Sequence, residues 1–200
     1  MNDILRAINF ASEAHKRQVR KYSLGLTSVS STVPYIVHPI RVYTRIAERY
    51  PELKSVHIAA ILHDTVEDTD VKPIDIFTHF GSAVEWLVSD VTNVFTSEDY
   101  PHLNRADRKK REFQRISKIP FGGKLIKLYD RIDNLSEMPI GEEFTNKYIH
   151  ESRDLLEVLR GTDQVVENEL DNVIQDVYNQ CVQAKLADKL HVPINRHIND

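Results

Sequence analysis

The chain has 200 residues, with 26 basic and 30 acidic side chains and a formal net charge of −4. This length suits one ordinary domain, and the acidic balance is the reverse of that of a general nucleic-acid-binding protein. A single cysteine, Cys181, excludes an internal disulfide framework and is typical of a reducing compartment. The apolar runs are too short to span a bilayer, and the first residues lack a signal-peptide pattern. We therefore expect a cytoplasmic protein without membrane or nucleic-acid partners.

Apolar residues recur at helical spacing along most of the chain. Glycine and proline are scarce, at 6 and 8 residues, which disfavours a protein built from β-hairpins. Asn2 or Asp3 can cap the first helix, and Pro73 is suited to the first position of a later one. In chain order, we predict helices at about residues 4–15, 40–50, 56–62, 73–80, 84–91, 105–117, 125–138, 145–160 and 162–190.

Three local sequence signals mark breaks in this helical pattern. Residues 22–33 contain six serine or threonine residues and one glycine, so they predict a loop. The PFGG sequence at 120–123 predicts a turn, and Gly161 predicts the end of a helix. No internal repeat, low-complexity tract or linker interrupts the chain. We predict an all-α fold and a single domain over residues 1–200. Within it, residues 162–200 form a C-terminal helical extension, which could pair with a second copy in a homodimer.

A cluster of polar residues directly follows the apolar run at 56–62. The sequence HDTVED places an imidazole and three carboxylates at positions i, i+1, i+4 and i+5, so a helix projects them to one side. Carboxylates this close repel one another, and a divalent cation would stabilise their charged forms. The alternative is a solvated acidic helix end, which the helix dipole disfavours. The four residues are His63, Asp64, Glu67 and Asp68.

A metal ion here needs further ligands, and sequence spacing does not choose among them. His38 lies in PYIVHPI, where the following proline stiffens its position. Asp130 lies in LIKLYDRIDNL, on a predicted helix whose apolar side indicates a half-buried position. Either residue, taken alone, is more often structural than a ligand. The other candidate histidines are His15, His57, His79, His102, His150, His191 and His197.

Several motifs occur together in one order along the chain. They are HxxQxRK at 15–21, PYIVHP at 34–39, AAILHDTVEDT at 59–69, LVSDVTN at 87–93 and KLYDRIDNL at 127–135. In composition and order they resemble the HD-type hydrolase domain of RelA/SpoT proteins, over about residues 4–160. The resemblance therefore implies a single HD-domain helical bundle.

The resemblance implies one divalent ion per chain, usually Mn²⁺. Two imidazoles and two carboxylates suit that ion and do not exclude Zn²⁺, Fe²⁺ or Ni²⁺. The catalytic acids of the family correspond to Glu67 and Asp68, and phosphoester hydrolysis requires a carboxylate that takes a proton from water. The alternative role for this pair is support of the metal ligands. The implied metal ligands are His38, His63, Asp64 and Asp130.

The resemblance also implies a set of nucleotide-binding residues. An arginine can stack on a base or bind a phosphate, and an asparagine can hydrogen-bond to a base or ribose edge. For the Arg20–Lys21 pair, the alternative is a cationic helix end favoured by the helix dipole. The implied residues are Arg20, Lys21, Lys127, Arg131 and Asn134.

The segment RADRKKREFQR, at 105–115, holds six basic residues against two acidic ones. It could attract a highly charged anion, or it could be a solvated helix face with internal pairs such as Asp107–Arg111. Three features depart from the family pattern: the twelve-residue loop at 22–33, Tyr129 and Asp133. We expect Asp133 to face the nucleotide and to favour guanine by accepting hydrogen bonds from its N–H groups.

The function that the resemblance implies is metal-dependent hydrolysis of the small nucleotide (p)ppGpp to GDP or GTP and pyrophosphate. A second hypothesis keeps this chemistry and changes the substrate to (p)ppApp, NADPH or another phosphorylated nucleotide. A third hypothesis is an HD module that binds a nucleotide without turnover. The presence of both Glu67 and Asp68 favours an enzyme, because a binding module needs neither residue.

Overall fold

The structure is a computed structural model that describes residues 2–21 and 33–190, with only the backbone at 188–190. The regular elements within these ranges are all helical, which confirms the predicted all-α fold. The helices are α1 (Asp3–Ala14), α2 (Val37–Arg49), α3 (Lys54–Leu62), α4 (Thr65–Asp68), α5 (Pro73–Phe80), α6 (Ser82–Val91), α7 (Arg105–Ile116), α8 (Phe121–Ser136), α9 (Glu143–Leu159) and α10 (Gln164–Leu190). None of them is long and apolar enough to cross a membrane.

Helix α8 lies at the centre of the packing and contacts α2, α3, α6, α9 and α10. Its side chains Leu125, Leu128 and Ile132 are fully buried. Helix α3 is apolar nearly all round, and Ala60, Ile61 and Leu62 at its end are fully buried, as the sequence predicts. The polar residues that follow Leu62 therefore begin at the centre of the protein.

The turn predicted at PFGG is wrong, because these residues begin α8. Pro120 is the N-cap residue, and Phe121, Gly122 and Gly123 form the first turn of the helix. A Cβ atom at Gly122 would lie 2.5 Å from Val56 Cγ2, and one at Gly123 would lie 3.0 Å from Ile119 Cδ1. The glycines therefore permit close packing of α8 and do not form a turn.

Two helix termini are well defined, and the one at Gly161 confirms the prediction from the sequence. The side chain of Asn104 caps α7 by accepting a hydrogen bond from the Asp107 N–H at 2.9 Å. Gly161, with φ of 84°, follows α9 in the left-handed region that glycine favours.

A short backbone pairing brings two of the predicted motifs together. The Arg20 N–H donates to the Val33 carbonyl at 2.8 Å, and the Tyr35 N–H donates to the Gln18 carbonyl at 3.1 Å. The predicted loop between these segments lies outside the described residues, except for Val33. The pairing places Arg20 beside Tyr35, at the start of the segment that leads into α2.

Candidate active site

Two buried imidazoles face two carboxylates where α2, α3 and α8 meet. His38, in the first turn of α2, has its Nε2 3.1 Å from Asp130 Oδ1 and 3.5 Å from Asp64 Oδ2. His63, at the end of α3, has its Nε2 3.0 Å from Asp64 Oδ2 and 3.7 Å from Asp130 Oδ1. The structure thus brings together the four residues that the sequence predicts as metal ligands.

The two imidazole Nε2 atoms are buried and have no hydrogen-bond partner. The ligand atoms of His38, His63 and Asp130 all lie within 4.8 Å of one another. Buried polar atoms are nearly always paired, so two unpaired nitrogens that face carboxylates indicate a missing ligand. A mixed set of imidazole and carboxylate donors fits a divalent metal ion.

The other nitrogen of each imidazole is held in place. His38 Nδ1 lies 2.7 Å from Asp133 Oδ2, and His63 Nδ1 lies 2.9 Å from the Ala60 carbonyl oxygen. A carbonyl or carboxylate oxygen accepts the hydrogen bond, so each Nδ1 carries a proton and each Nε2 is the nitrogen that faces the site. An Nε2 that has given up its proton has the lone pair that metal coordination requires.

Electrostatics in this cluster favour positive charge between the carboxylates. Burial alone would raise the pKa of Asp64, but the imidazoles of His63 and His38 outweigh it and lower the pKa. Burial would lower the pKa of His63, but Asp64 and Asp130 outweigh it and raise the pKa well above its ordinary value. A metal ion could take the position between these groups that a proton otherwise fills.

Tyr35 connects the metal ligands to one of the predicted catalytic acids. Its hydroxyl lies 2.6 Å from Asp64 Oδ2 and 3.1 Å from Asp68 Oδ2. Its ring stacks on His15, with 4.6 Å between the ring centroids. Burial of the carboxyl, together with the charges of Asp64 and Glu67, raises the pKa of Asp68 to about 6, although the residue as a whole is exposed. Asp68 can therefore exchange a proton near neutral pH.

Asn93 holds the other predicted acid, Glu67. The backbone N–H of Asn93 donates to Glu67 Oε2 at 3.0 Å, and Asn93 Nδ2 donates to Glu67 Oε1 at 2.6 Å. The buried Glu112 anchors the same loop, because its Oε2 accepts from the N–H groups of Val94 and Phe95 at 3.0 and 3.2 Å. Sequence reasoning missed Asn93 and Glu112, although Asn93 ends the quoted LVSDVTN motif.

A cavity of about 230 Å³ is lined by residues from both the predicted metal site and the predicted nucleotide-binding site. Carboxylates predicted as metal ligands or as catalytic acids line it together with three of the predicted nucleotide-binding residues. Arg20 and Lys21 do not line it within the described part of the chain. The predicted residues on its wall are Asp64, Glu67, Asp68, Lys127, Asp130, Arg131 and Asn134.

Arg20 is buried in a polar network behind the cavity. Its Nε donates to Glu137 Oε2 at 2.8 Å, and its Nη2 donates to Asn134 Oδ1 at 3.0 Å. Asn134 in turn donates from Nδ2 to Asp130 Oδ1 at 2.6 Å. Arg20 is therefore linked through Asn134 to Asp130, a predicted metal ligand, and its contact with a nucleotide stays a prediction. Lys21 is exposed, and its nucleotide contact also stays a prediction.

The expected contact between Asp133 and a guanine base is wrong. The Asp133 side chain is only 5% exposed and lies between His38 and Arg20, behind the metal ligands. Its position in the chain, next to Asn134, suggested the nucleotide end of the site. Asn134 lies on the cavity wall and Asp133 does not, although Arg20 Nη2 lies near both side chains.

The basic segment at 105–115 has mixed roles. Arg105 forms a bidentate ion pair with Glu151 at 2.7 and 3.0 Å, and Arg115 pairs with Glu112. Asp107 is hydrogen-bonded to Asn104, not to the predicted Arg111. Lys109, by contrast, lines the cavity. The segment is therefore partly structural and contributes at least one cation to the site.

Comparison with known proteins agrees with this geometry. A family model described as an HD domain matches residues 7–166. The guanosine-3′,5′-bis(diphosphate) 3′-pyrophosphohydrolase MESH1 of Xenopus tropicalis is 34% identical over 181 residues, which cover 86% of this chain and 93% of that protein. The guanosine-3′,5′-bis(diphosphate) 3′-pyrophosphohydrolase of Aquifex aeolicus is 34% identical over 151 residues, which cover 74% of this chain and 19% of that protein.

A solved structure of a related protein has the same fold. It is that of a metazoan orthologue of SpoT, a protein that hydrolyses ppGpp and plays a role in starvation responses. It superposes with a TM-score of 0.73 at 29% identity, over 88% of this chain and 96% of that one. The chain therefore belongs to the HD domain family, and its resemblance to the RelA/SpoT-type hydrolases of that family is confirmed.

Proposed function

We propose that this chain is a metal-dependent guanosine-3′,5′-bis(diphosphate) 3′-pyrophosphohydrolase. The observation that carries the proposal is the pair of unpaired imidazole nitrogens, His38 Nε2 and His63 Nε2, that face Asp64 and Asp130 beside two acidic side chains. The relatives named for this activity supply the substrate. The family-based division into a hydrolase domain at 4–160 and an extension from 162, a cytoplasmic location and a possible homodimer stay predictions.

His38, His63, Asp64 and Asp130 would hold one divalent ion, for which Mn²⁺ is our proposal. When bound, such an ion acts as a Lewis acid that lowers the pKa of water and offsets phosphate charge. Asp133 and the Ala60 carbonyl fix the two imidazoles in the orientation that this ligand set requires.

Glu67 and Asp68 would carry the proton transfers. A water oxygen bonds to the phosphorus attached to ribose O3′, and the bond between that phosphorus and O3′ breaks. The water loses a proton to one carboxylate, and O3′ gains a proton as it leaves. Asp68, with a pKa of about 6, can exchange a proton near neutral pH, whereas Glu67 has both oxygens held by Asn93. The products are GDP or GTP, and pyrophosphate.

Lys127, Arg131 and Asn134 lie on the wall of the same cavity, where they can contact a phosphorylated nucleotide. Hydrolysis of (p)ppApp or NADPH is less favoured, because the relatives reported above are named for the guanosine compound. Binding without turnover is also less favoured, because the acid pair lines the cavity next to Asp64 and Asp130.

The test is to incubate the full chain with ppGpp and Mn²⁺ in ¹⁸O-labelled water and to resolve the products by ion exchange and mass spectrometry. We expect GDP and pyrophosphate in equal amounts, the label in pyrophosphate, and loss of turnover with EDTA. Release of orthophosphate would show that a terminal phosphate is attacked. Parallel assays with ppApp and NADPH test the second hypothesis, hydrolysis of another nucleotide. Nucleotide binding without any product would support the third hypothesis, binding without turnover.

A further inference from the structure

The first half of the HxxQxRK motif has no role in the proposed function. His15 directly follows α1, and Gln18 lies in the turn after it. His15 is buried, and Gln18 is half-buried. Neither residue lines the cavity that holds the predicted catalytic acids. If the two residues take part in the reaction, they therefore act through another residue.

Gln18 connects three segments of the chain by hydrogen bonds. Its side-chain Nε2 donates to the Asp68 carbonyl oxygen at 2.6 Å, and its Oε1 lies 2.7 Å from His15 Nδ1. Its backbone carbonyl accepts from the Tyr35 N–H at 3.1 Å. A carbonyl oxygen can only accept, so the NH2 end of the carboxamide faces Asp68 and its oxygen accepts from His15 Nδ1. His15 therefore fixes the orientation of the Gln18 carboxamide.

Asp68 lies at a point of the chain that local structure holds weakly. It is exposed and ends α4, a helix of only four residues. Thr69 after it has extended backbone, so the Asp68 carbonyl is one of the helix-end groups without a partner inside the helix. Gln18 supplies that partner from a distant part of the sequence. The contact with Gln18 therefore fixes the backbone from which the Asp68 carboxylate projects.

The same two residues hold Tyr35, whose hydroxyl lies 3.1 Å from Asp68 Oδ2. Gln18 accepts from the Tyr35 N–H, and the Tyr35 ring stacks on His15 with 28° between the ring planes. His15 Nε2 is buried and has no hydrogen-bond partner in the described part of the chain. An unpaired buried nitrogen is unfavourable, so an apolar ring would pack better at this position. The contact that an apolar ring cannot make is the one from Nδ1 to Gln18.

We propose that Gln18 is a positioning residue for Asp68 and that His15 orients Gln18 for this role. The inference rests on the proposed function, in which Asp68 takes part in proton transfer. Proton transfer requires the carboxylate to lie within hydrogen-bonding reach of the reacting groups, so a small displacement of Asp68 slows the reaction. Each acid then has its own positioning side chain, Asn93 for Glu67 and Gln18 for Asp68.

The first experiment is steady-state hydrolysis of ppGpp by the full chain with Mn²⁺. Gln18→Met keeps the length of the side chain and removes both of its hydrogen bonds. We expect kcat to fall by about 10-fold to 100-fold, with wild-type KM and Mn²⁺ affinity, because a displaced acid affects the reaction step and not binding. Gln175→Met, an exposed change on α10, is the control and should keep the wild-type kcat. A kcat of Gln18→Met within about threefold of wild type, or a matching loss of Mn²⁺ affinity, would overturn the proposal.

If Gln18→Met lacks the wild-type circular dichroism spectrum, Gln18→Glu replaces it, with the same expected fall in kcat. Glutamate keeps the acceptor for His15 and replaces the donor to Asp68 with a second acceptor.

The second experiment separates the Nδ1 donor of His15 from its ring. His15→Asn retains an N–H donor near the position of Nδ1, whereas His15→Phe retains a ring that stacks on Tyr35 and has no donor. We expect His15→Asn to keep kcat within about threefold of wild type and His15→Phe to lose it as Gln18→Met does. A wild-type kcat in His15→Phe, or an equal loss in both variants, would overturn the role of His15.

A third measurement does not depend on turnover. The Asp68 N–H donates to the Asp64 carbonyl at 2.9 Å, and its hydrogen exchange, followed by NMR, should be about twofold to tenfold faster in Gln18→Met, because the helix end loses a hydrogen bond. Unchanged exchange would overturn the proposal. If exchange is faster but the wild type does not hydrolyse ppGpp, the proposed function is wrong and Gln18 still holds Asp68. If the wild type hydrolyses ppGpp and Gln18→Met keeps its kcat, the positioning role is wrong and the function stands.

Discussion

Asp133 Oδ2 lies 2.7 Å from His38 Nδ1 and turns the opposite ring nitrogen toward Asp64 and Asp130. Arg20 Nη2 and Arg41 Nη1 lie 3.8 Å from the same carboxylate and offset its charge. A buried carboxylate on a metal-binding imidazole fixes the ring orientation and makes the ligand nitrogen more basic. We therefore expect Asp133 to support metal binding through His38 without being a ligand itself.

Asp133→Asn should weaken metal binding. Asparagine can still accept from Nδ1, but it carries no charge, so the basicity of the His38 ring falls. We expect a loss of about 10-fold to 100-fold in Mn²⁺ affinity, measured by calorimetry, with the wild-type circular dichroism spectrum. Asp176→Asn, an exposed change on α10, serves as the control. Wild-type Mn²⁺ affinity in Asp133→Asn would remove this residue from the metal site.

Asp64→Ala should keep the fold and lose bound metal and nearly all turnover. Asp64 Oδ2 is the carboxylate oxygen nearest to His63 Nε2, at 3.0 Å, and is half-buried at the edge of the cavity. Its loss leaves a single carboxylate, Asp130, among the predicted ligands. Metal content by mass spectrometry and the rate with ppGpp are the two measurements. A purified variant with one Mn²⁺ per chain and a near wild-type rate would contradict the assignment of Asp64.

Asn93→Asp should slow turnover without loss of metal. The change replaces the side-chain donor to Glu67 with a like charge, so the Glu67 carboxylate moves from its position. We expect kcat to fall on the order of 100-fold, as for a misplaced catalytic group, with little change in KM or Mn²⁺ affinity. The exposed Asn172→Asp on α10 is the control. An unchanged kcat would mean that Asn93 does not position Glu67.

The proposed metal ligands could be predicted from sequence only because three short motifs, at 34–39, 59–69 and 127–135, carry them. From the residues alone, the HDTVED spacing indicates a cation. His38 and Asp130 could not be distinguished from the other histidines and acids as its ligands without the family resemblance. Asn93 and Glu112 act across 26 and 18 residues of sequence, through contacts that helix packing alone creates. Periodicity describes one helix at a time and does not contain such contacts.

The start of α8 at PFGG also could not be predicted from the local sequence. Two adjacent glycines have low helix propensity, so local chemistry favours a turn. Tertiary packing reverses that preference, because Gly122 lies against the side chain of Val56 on α3. No local signal distinguishes a glycine that turns the chain from one that allows two helices to approach.

Gly122→Ala should therefore destabilise the protein, although alanine is the better helix former. The new Cβ would lie 2.5 Å from Val56 Cγ2, and overpacking of this kind costs about 1–3 kcal/mol. Against it stands a helix-propensity gain of about 1 kcal/mol, so we expect a net loss of up to about 2 kcal/mol in the free energy of unfolding. In the Val56→Ala background the same change should cost less, because the clashing methyl group is absent. Equal costs in both backgrounds would show that Val56 is not the obstacle.

Asp163 connects the end of α2 to the start of α10. Its Oδ2 accepts from Arg49 Nε at 2.6 Å and also from the Tyr50 hydroxyl. Its Oδ1 accepts from the Val165 and Val166 N–H groups at 2.8 and 3.3 Å, so it caps α10. Asp163→Ala should cost about 1–2 kcal/mol in the free energy of unfolding for the lost cap alone. Asp163→Asn retains one oxygen for the cap, but it removes the charge and replaces the oxygen that accepts from Arg49 and Tyr50 with an NH2 group.

Asp163 also makes a predictable contribution to the pH dependence of stability. Burial alone would raise its pKa, but Arg49, Tyr50 and the two N–H groups outweigh it and lower the pKa below its ordinary value. Because the folded-state pKa is the lower one, the ionised form contributes stability above the unfolded-state pKa of about 3.9, and this contribution is lost as the pH falls toward the folded-state value. The free energy of unfolding in urea should differ between the wild type and Asp163→Asn by a constant amount from about pH 7 to about pH 5. This difference should narrow below about pH 4. A difference that stays constant in acid, or grows, would show that the charge of Asp163 is not stabilised in the folded protein.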